Sequence, residues 1–316
     1  MENIALQDLK LPLRIGARGS PLSIAQTKWL RGELAKKLGI NDADIEEKLP
    51  IIPITTQGDK IQDRALLEAG GKGLFTRELD DALLDNRVDC AIHSMKDVPT
   101  ILPEGITLLG SPPREDRRDA LITKDGIEFD ALPNGASLGT ASLRRSSQFL
   151  GQRPDLKIGL LRGNVGTRLG KIEDGSFDAT ILAIAGLKRL GKADVKHTLI
   201  DPMKMPPAIG QGALAITART GDNAIINAFK LIECQNTSLE VHAERAFLRA
   251  LDGSCRTPIA AYCYFEGDVM HFVGEYFKDD GTAIRKVTSL AKPNMEKAGQ
   301  LGYDCAQSIL LEVGGK

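Results

Sequence analysis

The stretch LRIGARGSPLSIAQTKWLRGELAKKLG, residues 13–39, decides the fold. Leu13-Arg14-Ile15-Gly16 reads as a short buried strand. Ser20 is a natural N-cap and Pro21 suits the first helical position, so a helix runs to about Leu38 and stops at Gly39. The rhythm continues with a strand over Leu49 to Ile54. A helix follows over Phe75 to Leu84, with Leu79, Leu83 and Leu84 on one face, then a strand over Val88 to Ile92. Strands and helices alternating at this spacing imply parallel pairing and an α/β layer fold.

The segment around Pro103, Pro112 and Pro113 reads as a hinge. A second series follows: strands at Ala120 to Thr123, Ser137 to Gly139, Lys157 to Leu161 and Ala179 to Ala183, with helices at Ser142 to Leu150 and Gly166 to Glu173. Pro202, Pro206 and Pro207 mark a second crossing, after which Ala213 to Thr217 is a strand returning to the first domain with no new α/β unit behind it. The expected architecture is two α/β lobes resembling solute-binding proteins, with a ligand cleft between them. A small C-terminal α+β domain completes it: Thr237-Ser238-Leu239-Glu240 is a capping box opening a helix to Leu251, followed by a three-stranded meander and a closing helix over Asn294 to Leu311. The expected domains are 1–112 with 211–232, then 113–210, then 233–316.

Composition excludes several functions. Lys+Arg is 41 and Asp+Glu is 42, a net charge of -1, so no chain-wide field captures nucleic acid or an anionic membrane. Aromatics are 4%, too few for a platform that stacks bases. No apolar run reaches the roughly 18 residues of a membrane helix, and Met1 to Lys10 has no signal-peptide core, so a cytoplasmic protein is expected. The five cysteines include no C-x-x-C and the four histidines no H-E-x-x-H, so neither a disulfide framework nor a metal site is expected. Gly210-Gln211-Gly212-Ala213-Leu214-Ala215 matches a dinucleotide fingerprint by letter, but prolines precede it and a strand follows it. Gly70-Gly71-Lys72-Gly73 lacks both the first glycine and the Ser/Thr of a P-loop.

Three features survive. From Arg144 to Arg189 six arginines and three lysines face four acids, and Arg144 and Arg145 sit in a first helical turn behind Thr140 and Ser142. Positive charge there opposes the helix dipole. An anion shared by the helix start and the guanidinium groups removes the conflict, and arginine favours planar carboxylates. The plainer reading is a solvated basic face. Second, His93-Ser94-Met95-Lys96-Asp97-Val98-Pro99 follows a buried strand, which places its polar groups where open α/β sheets bind ligands. Asp97 is there either as a charge balancer or as a catalytic anion facing a cation. Third, Cys255 lies in Gly253-Ser254-Cys255-Arg256 just beyond a helix end, whose negative pole raises a thiol pKa while Arg249 and Arg256 nearby in sequence lower it; the plainer reading is a buried filler cysteine.

Together with Thr56-Gln57-Gly58-Asp59, Gly70 to Leu79, Ala91 to Pro99, Gly139 to Arg145, Leu161 to Arg168 and Pro207 to Ala213, these residues resemble the porphobilinogen deaminase family from about Leu13 to Pro258. The resemblance implies a three-domain α/β transferase. It joins four porphobilinogen molecules head to tail, with loss of ammonia, on a dipyrromethane primer and releases hydroxymethylbilane. The primer is then a thioether on Cys255. Its carboxylates and those of the growing chain match Arg144, Arg145, Arg162 and Arg168, with Thr140, Ser142, Ser94 and Lys96 as further cofactor contacts. Arg18, Ser20, Arg189 and Phe75 match substrate contacts, Phe75 as the aromatic that covers the cleft, and Asp97 matches the catalytic aspartate. Porphobilinogen is the partner implied, with no nucleic acid, no membrane and a monomeric chain. Ala141 and Glu68 depart from common family choices of serine and lysine. The competing class is a two-lobed anion binder without catalysis, which has no use for a tethering thiol.

Overall fold

A computed structural model of the chain describes residues 9–60, 73–251, 258–278 and 282–314. Its strands, in chain order, are β1 (Ile15–Arg18), β2 (Ile51–Ile54), β3 (Cys90–Ser94), β4 (Ile106–Leu108), β5 (Asp119–Thr123), β6 (Ser137–Gly139) and β7 (Lys157–Gly159). They continue with β8 (Ala179–Ala183), β9 (His197–Leu199), β10 (Leu214–Arg219), β11 (Ile259–Glu266), β12 (Val269–Phe277) and β13 (Ala283–Ala291). The main helices are α1 (Pro21–Leu38), α2 (Arg77–Leu84), α3 (Leu143–Gln152), α4 (Val165–Glu173), α5 (Ile184–Arg189), α6 (Asn223–Lys230), α7 (Gln235–Ala250) and α8 (Met295–Gly314).

The chain forms two compact units. One holds the described residues of Met1–Ile61, Gly71–Glu115 and Ala213–Ser238, around a sheet of order β2-β1-β3-β10-β4. β1 pairs parallel with β2 and β3, while β10 returns antiparallel to β3 and β4. The other unit includes Asp116–Gly212 and Leu239–Lys316. Its first sheet, β7-β6-β8-β5-β9, repeats the pattern: β6 is parallel to β7 and β8, and β5 runs antiparallel to β8 and β9. The antiparallel member is in each case the strand reached by a crossing segment, which lets the chain leave and re-enter a parallel layer. A third sheet, β11-β12-β13, is an antiparallel meander covered by α8. Its core joins Phe247 of α7, Phe272 of β12 and Ile309 of α8.

Local chemistry explains the element ends. Ser20 Oγ accepts from Ser23 N at the start of α1, Pro21 follows, and Gly39 ends the helix at φ 67°, a left-handed conformation that costs glycine little. The apolar face of α1, with Leu30 and Leu34 fully buried, packs on Ile15, Cys90 and Ile92. Several expectations change. α2 begins at Arg77, because Gly73 to Thr76 forms a turn, and Leu84 is 44% exposed while Leu79 and Leu83 are buried. Leu79 and Leu83 are four residues apart and share a face, whereas Leu84 is turned roughly 100° from Leu83. α7 starts at Gln235, so Thr237 and Ser238 lie inside it. Their hydroxyls accept from the backbone N–H of Arg114 and Ser111 instead of capping the helix. β4 and β9, three residues each, hold their places through pairing with β10 and β5, which local periodicity does not show. α6 follows β10 directly, capped by Asp222, where no further α/β unit was expected.

Asp80 is a buried acid on α2, 5% exposed, and burial, aided by the nearby charge of Asp81, raises its pKa to about 6. The folded state therefore binds a proton more tightly than the unfolded chain. The resulting stability is present below pH 3.8 and lost as pH rises through about 6. Asp80→Asn is expected to raise the unfolding free energy at pH 7 by about 2 kcal/mol and to add little at pH 3.5, measured by urea unfolding.

Candidate functional site

Two groups of polar side chains stand out, one in each unit. In the first unit, a recess at the carboxyl ends of β1 and β3 is lined by Arg18, Ser20, Leu22, Ser23, Gln26, Phe75, His93, Ser94, Lys96 and Asp97. Arg18 is the last residue of β1, Ser94 the last of β3, and Lys96 and Asp97 lie in the tight turn Met95–Asp97. The Arg18 guanidinium carbon lies 4.2 Å from the centroid of the Phe75 ring, and one of its nitrogens lies 3.9 Å from Asp97 Oδ2. The sequence placed Arg18, Ser20, Phe75, Ser94, Lys96 and Asp97 in the site, and the fold brings all six to this one recess.

The recess also holds residues the sequence reading did not assign. Gln26 Nε2 donates to Ser94 Oγ at 2.9 Å, which pins the end of β3 to α1. Its signal was faint: a polar residue six positions after the cap, on the buried side of the helix. His93 is 4% exposed, and its Nε2 lies 3.0 Å from Thr217 Oγ1 on β10. Its Nδ1 is buried with no hydrogen-bond partner among the described residues. Burial, together with the charge of Arg18, lowers the His93 pKa to about 4, so the ring is neutral near pH 7.

In the second unit, Ser142 caps α3 by accepting from Arg145 N, and Thr140 Oγ1 accepts from Ser142 N at 3.1 Å. Arg144 and Arg145 are buried, and both meet Asp119 at the start of β5. Arg144 reaches Asp119 Oδ2 at 2.9 Å and Arg145 reaches Oδ1 at 2.7 Å. The anion that the helix start called for is thus supplied in part by the chain itself, from a residue far off in sequence. The two guanidinium groups beside Asp119 hold its carboxyl far below the usual range despite its burial. Arg162 and Arg168 flank the turn into α4, where Gly163 adopts φ 105° and its carbonyl accepts from Arg168 Nε at 3.0 Å. Arg168 is lowered to about 10 by burial and by repulsion from Arg145 and Arg162. Arg189 ends α5 and donates to the carbonyl of Gly212 at 2.8 Å. Cys255 lies outside the described residues.

Fold and site together define an α/β protein built on two matching sheets and a smaller third one, with a group of charged side chains in each unit. A family model described as porphobilinogen deaminase, dipyromethane cofactor binding domain, matches residues 13–227, and one described as porphobilinogen deaminase, C-terminal domain, matches residues 238–311. The chain belongs to the porphobilinogen deaminase family. Porphobilinogen deaminase of Phenylobacterium zucineum is 52% identical over 311 residues, 96% of this chain and 97% of that protein. Porphobilinogen deaminase of Caulobacter sp. (strain K31) is 47% identical, covering 96% and 94%. Among solved structures, an ancestral cationic amino acid solute binding protein aligns with 69% of this chain and 88% of its own at 19% identity and a TM-score of 0.42. The amino-acid transporter binding protein ytmK of Bacillus subtilis aligns with 69% and 89% at 13% identity and 0.41.

The side chains fit a group of this kind. Burial, with the added charges of Arg145 and Arg162, lowers Arg168, a setting in which a carboxylate is favoured as a partner. The recess in the first unit offers cations, Arg18 and Lys96, beside a carboxylate able to accept from pyrrole N–H groups.

The neutral His93 has a measurable consequence. The unfolded chain takes up a proton near pH 6.5 and the folded state only near pH 4, so stability is lost as pH falls through that window. His93→Gln is expected to remove up to about 3 kcal/mol of this acid-side loss, measured as unfolding free energy against pH.

Proposed function

We propose that this chain joins four porphobilinogen molecules head to tail, releasing ammonia at each step, and delivers the linear tetrapyrrole hydroxymethylbilane. It acts as a transferase of the cytoplasm, as a monomer, without nucleic acid or metal. The dipyrromethane, held through a thioether to Cys255, would supply an electron-rich pyrrole α-carbon, which would give up its proton as it bonds the first unit. The proposed domains are 1–112 with 211–232, 113–210, and 233–316, the last carrying Cys255.

The observation that carries the reading is Asp97, a carboxylate 3.9 Å from the Arg18 guanidinium in a recess otherwise lined by neutral and cationic groups. As ammonia departs from porphobilinogen, positive charge spreads over the ring and its N–H becomes more acidic. Asp97 accepts from that N–H and stabilises the charge where it develops. Arg18 and Ser20 hold the carboxylates of the incoming ring, and Phe75 covers it. Ser94 and Lys96 add polar contacts to the bound pyrroles. Arg144, Arg145, Arg162 and Arg168, with Thr140 and Ser142, hold carboxylates already in the chain, and Arg189 contributes to the incoming unit. Each guanidinium–carboxylate bond contributes about 1.5–3 kcal/mol, enough for several to keep a flexible chain in register. A passive anion binder shares the arginines but has no role for a tethered primer.

Intact-mass measurement tests this directly. The purified protein is expected to be heavier than its polypeptide by one dipyrromethane, and Cys255→Ser to show the bare mass and no turnover. An active protein of bare polypeptide mass refutes the tether. Asp97→Asn is expected to keep the fold and the adduct while turnover of porphobilinogen falls by about a hundredfold or more, equivalent to losing about 3 kcal/mol of transition-state stabilisation.

A further inference from the structure

We propose that Asp119 is a positioning residue whose carboxylate sets the guanidinium groups of Arg144 and Arg145 in place for an anionic ligand. The proposal rests on the reading that this arginine cluster holds carboxylates of the cofactor and growing chain.

Two arginines in the first turn of α3 meet the positive end of the helix dipole and each other. Left to themselves, such side chains extend into solvent and sample many rotamers, and a ligand must order them when it binds. Here they are ordered beforehand. Arg145 donates to Asp119 through two nitrogens, Nη2 at 2.7 Å and Nε at 3.4 Å, and its Nη1 donates to the carbonyl of Ile181 at 3.0 Å. That three-point hold fixes the guanidinium plane. Arg144 reaches the other oxygen of the carboxylate, and its Nη1 donates to Gln148 Oε1 at 2.8 Å and to the carbonyl of Pro206 at 3.1 Å. Gln148 in turn donates to Glu275 of β12 at 3.0 Å.

Asp119 is itself held. It opens β5, paired with β8, and its Oδ1 accepts from Gln211 Nε2 at 2.8 Å. Gln211 also donates to the carbonyl of Arg117. The carboxylate is 2% exposed, so water does not screen its pull on the two arginines. Its charge offsets one of the two cations, which leaves α3 with a net positive start. Removing the charge while keeping the shape leaves both guanidinium groups buried and poorly paired, and they turn away from the geometry that a ligand meets.

The test compares Asp119→Asn, which keeps the size and loses the charge, with Asp119→Glu, which keeps the charge in a longer side chain. The readouts are the adduct-bearing fraction by intact mass, the KM and kcat of the adduct-bearing protein, and Tm. Asp119→Asn is expected to lower the adduct-bearing fraction by about tenfold, the equivalent of one charge-assisted bond, and to raise KM more than it lowers kcat. Asp119→Glu is expected to load more adduct than Asp119→Asn even where its Tm is lower. Loading that follows Tm and not charge across the two variants overturns the proposal.

Arg168→Gln separates this idea from the reading beneath it. Loss of adduct in Arg168→Gln with full loading and unchanged KM in Asp119→Asn overturns the positioning role alone. Full loading in both overturns the assignment of the cluster to the cofactor. Where Asp119→Asn does not fold, Gln211→Leu removes one bond to Oδ1 and leaves the carboxylate. Reduced loading in folded Gln211→Leu supports the proposal, and wild-type loading reduces Asp119 to a structural ion.

Discussion

Positive charge held inside a protein needs a fixed counter-charge, and the second unit is organised around that need. Arg144, Arg145 and Gln211 all converge on the buried carboxylate of Asp119. These bonds join the start of α3, the start of β5 and the segment leading back to β10. In the same unit, burial and the positive charges of Arg145 and Arg162 lower Arg168. Partly buried guanidinium groups within range of one another cost stability, and the proposed carboxylate ligand offsets that cost.

The first unit solves a different problem with the same kind of sheet. Its strand ends bring one carboxylate, Asp97, together with Arg18, Lys96 and an aromatic ring in a recess on the unit's own frame. Rigid strands set the positions, and Gln26 bonded to Ser94 ties the end of β3 to α1. A neutral histidine in the same wall avoids a further positive charge beside Arg18. Under the proposed function the recess places an anion where cationic character develops, in a site framed by secondary structure and not by loops alone.

Much of this was legible locally. Ser20, Pro21 and Gly39 mark both ends of α1 because capping is written in a few adjacent residues. Asp97 was legible because it directly follows a buried strand, and the arginines because they crowd into one region of an otherwise balanced chain. Other features were hidden for physical reasons. The hydroxyls of Thr237 and Ser238 look like caps, yet they accept from Arg114 and Ser111, residues more than a hundred positions earlier. Leu84 looked like core because it is apolar, but helical geometry turns it out beside Leu83. β4 and β9 are too short to carry a period of their own and exist through their neighbours.

The sequence by itself determined the alternation of strands and helices, the crossings marked by proline, the density of arginine and the family to which those motifs belong. These depend on neighbouring residues, whose propensities and spacing act along the chain. The tertiary structure alone decided which charges meet. Asp119 is 25 positions before Arg144 and 92 before Gln211, and no local rule pairs them. The pairing arises because β5 lies antiparallel to β8 in the sheet that α3 leaves, with the strand ends and helix start sharing a common edge. Burial then converts that proximity into strong interaction, since a charge removed from water must be answered by whatever the fold has placed beside it.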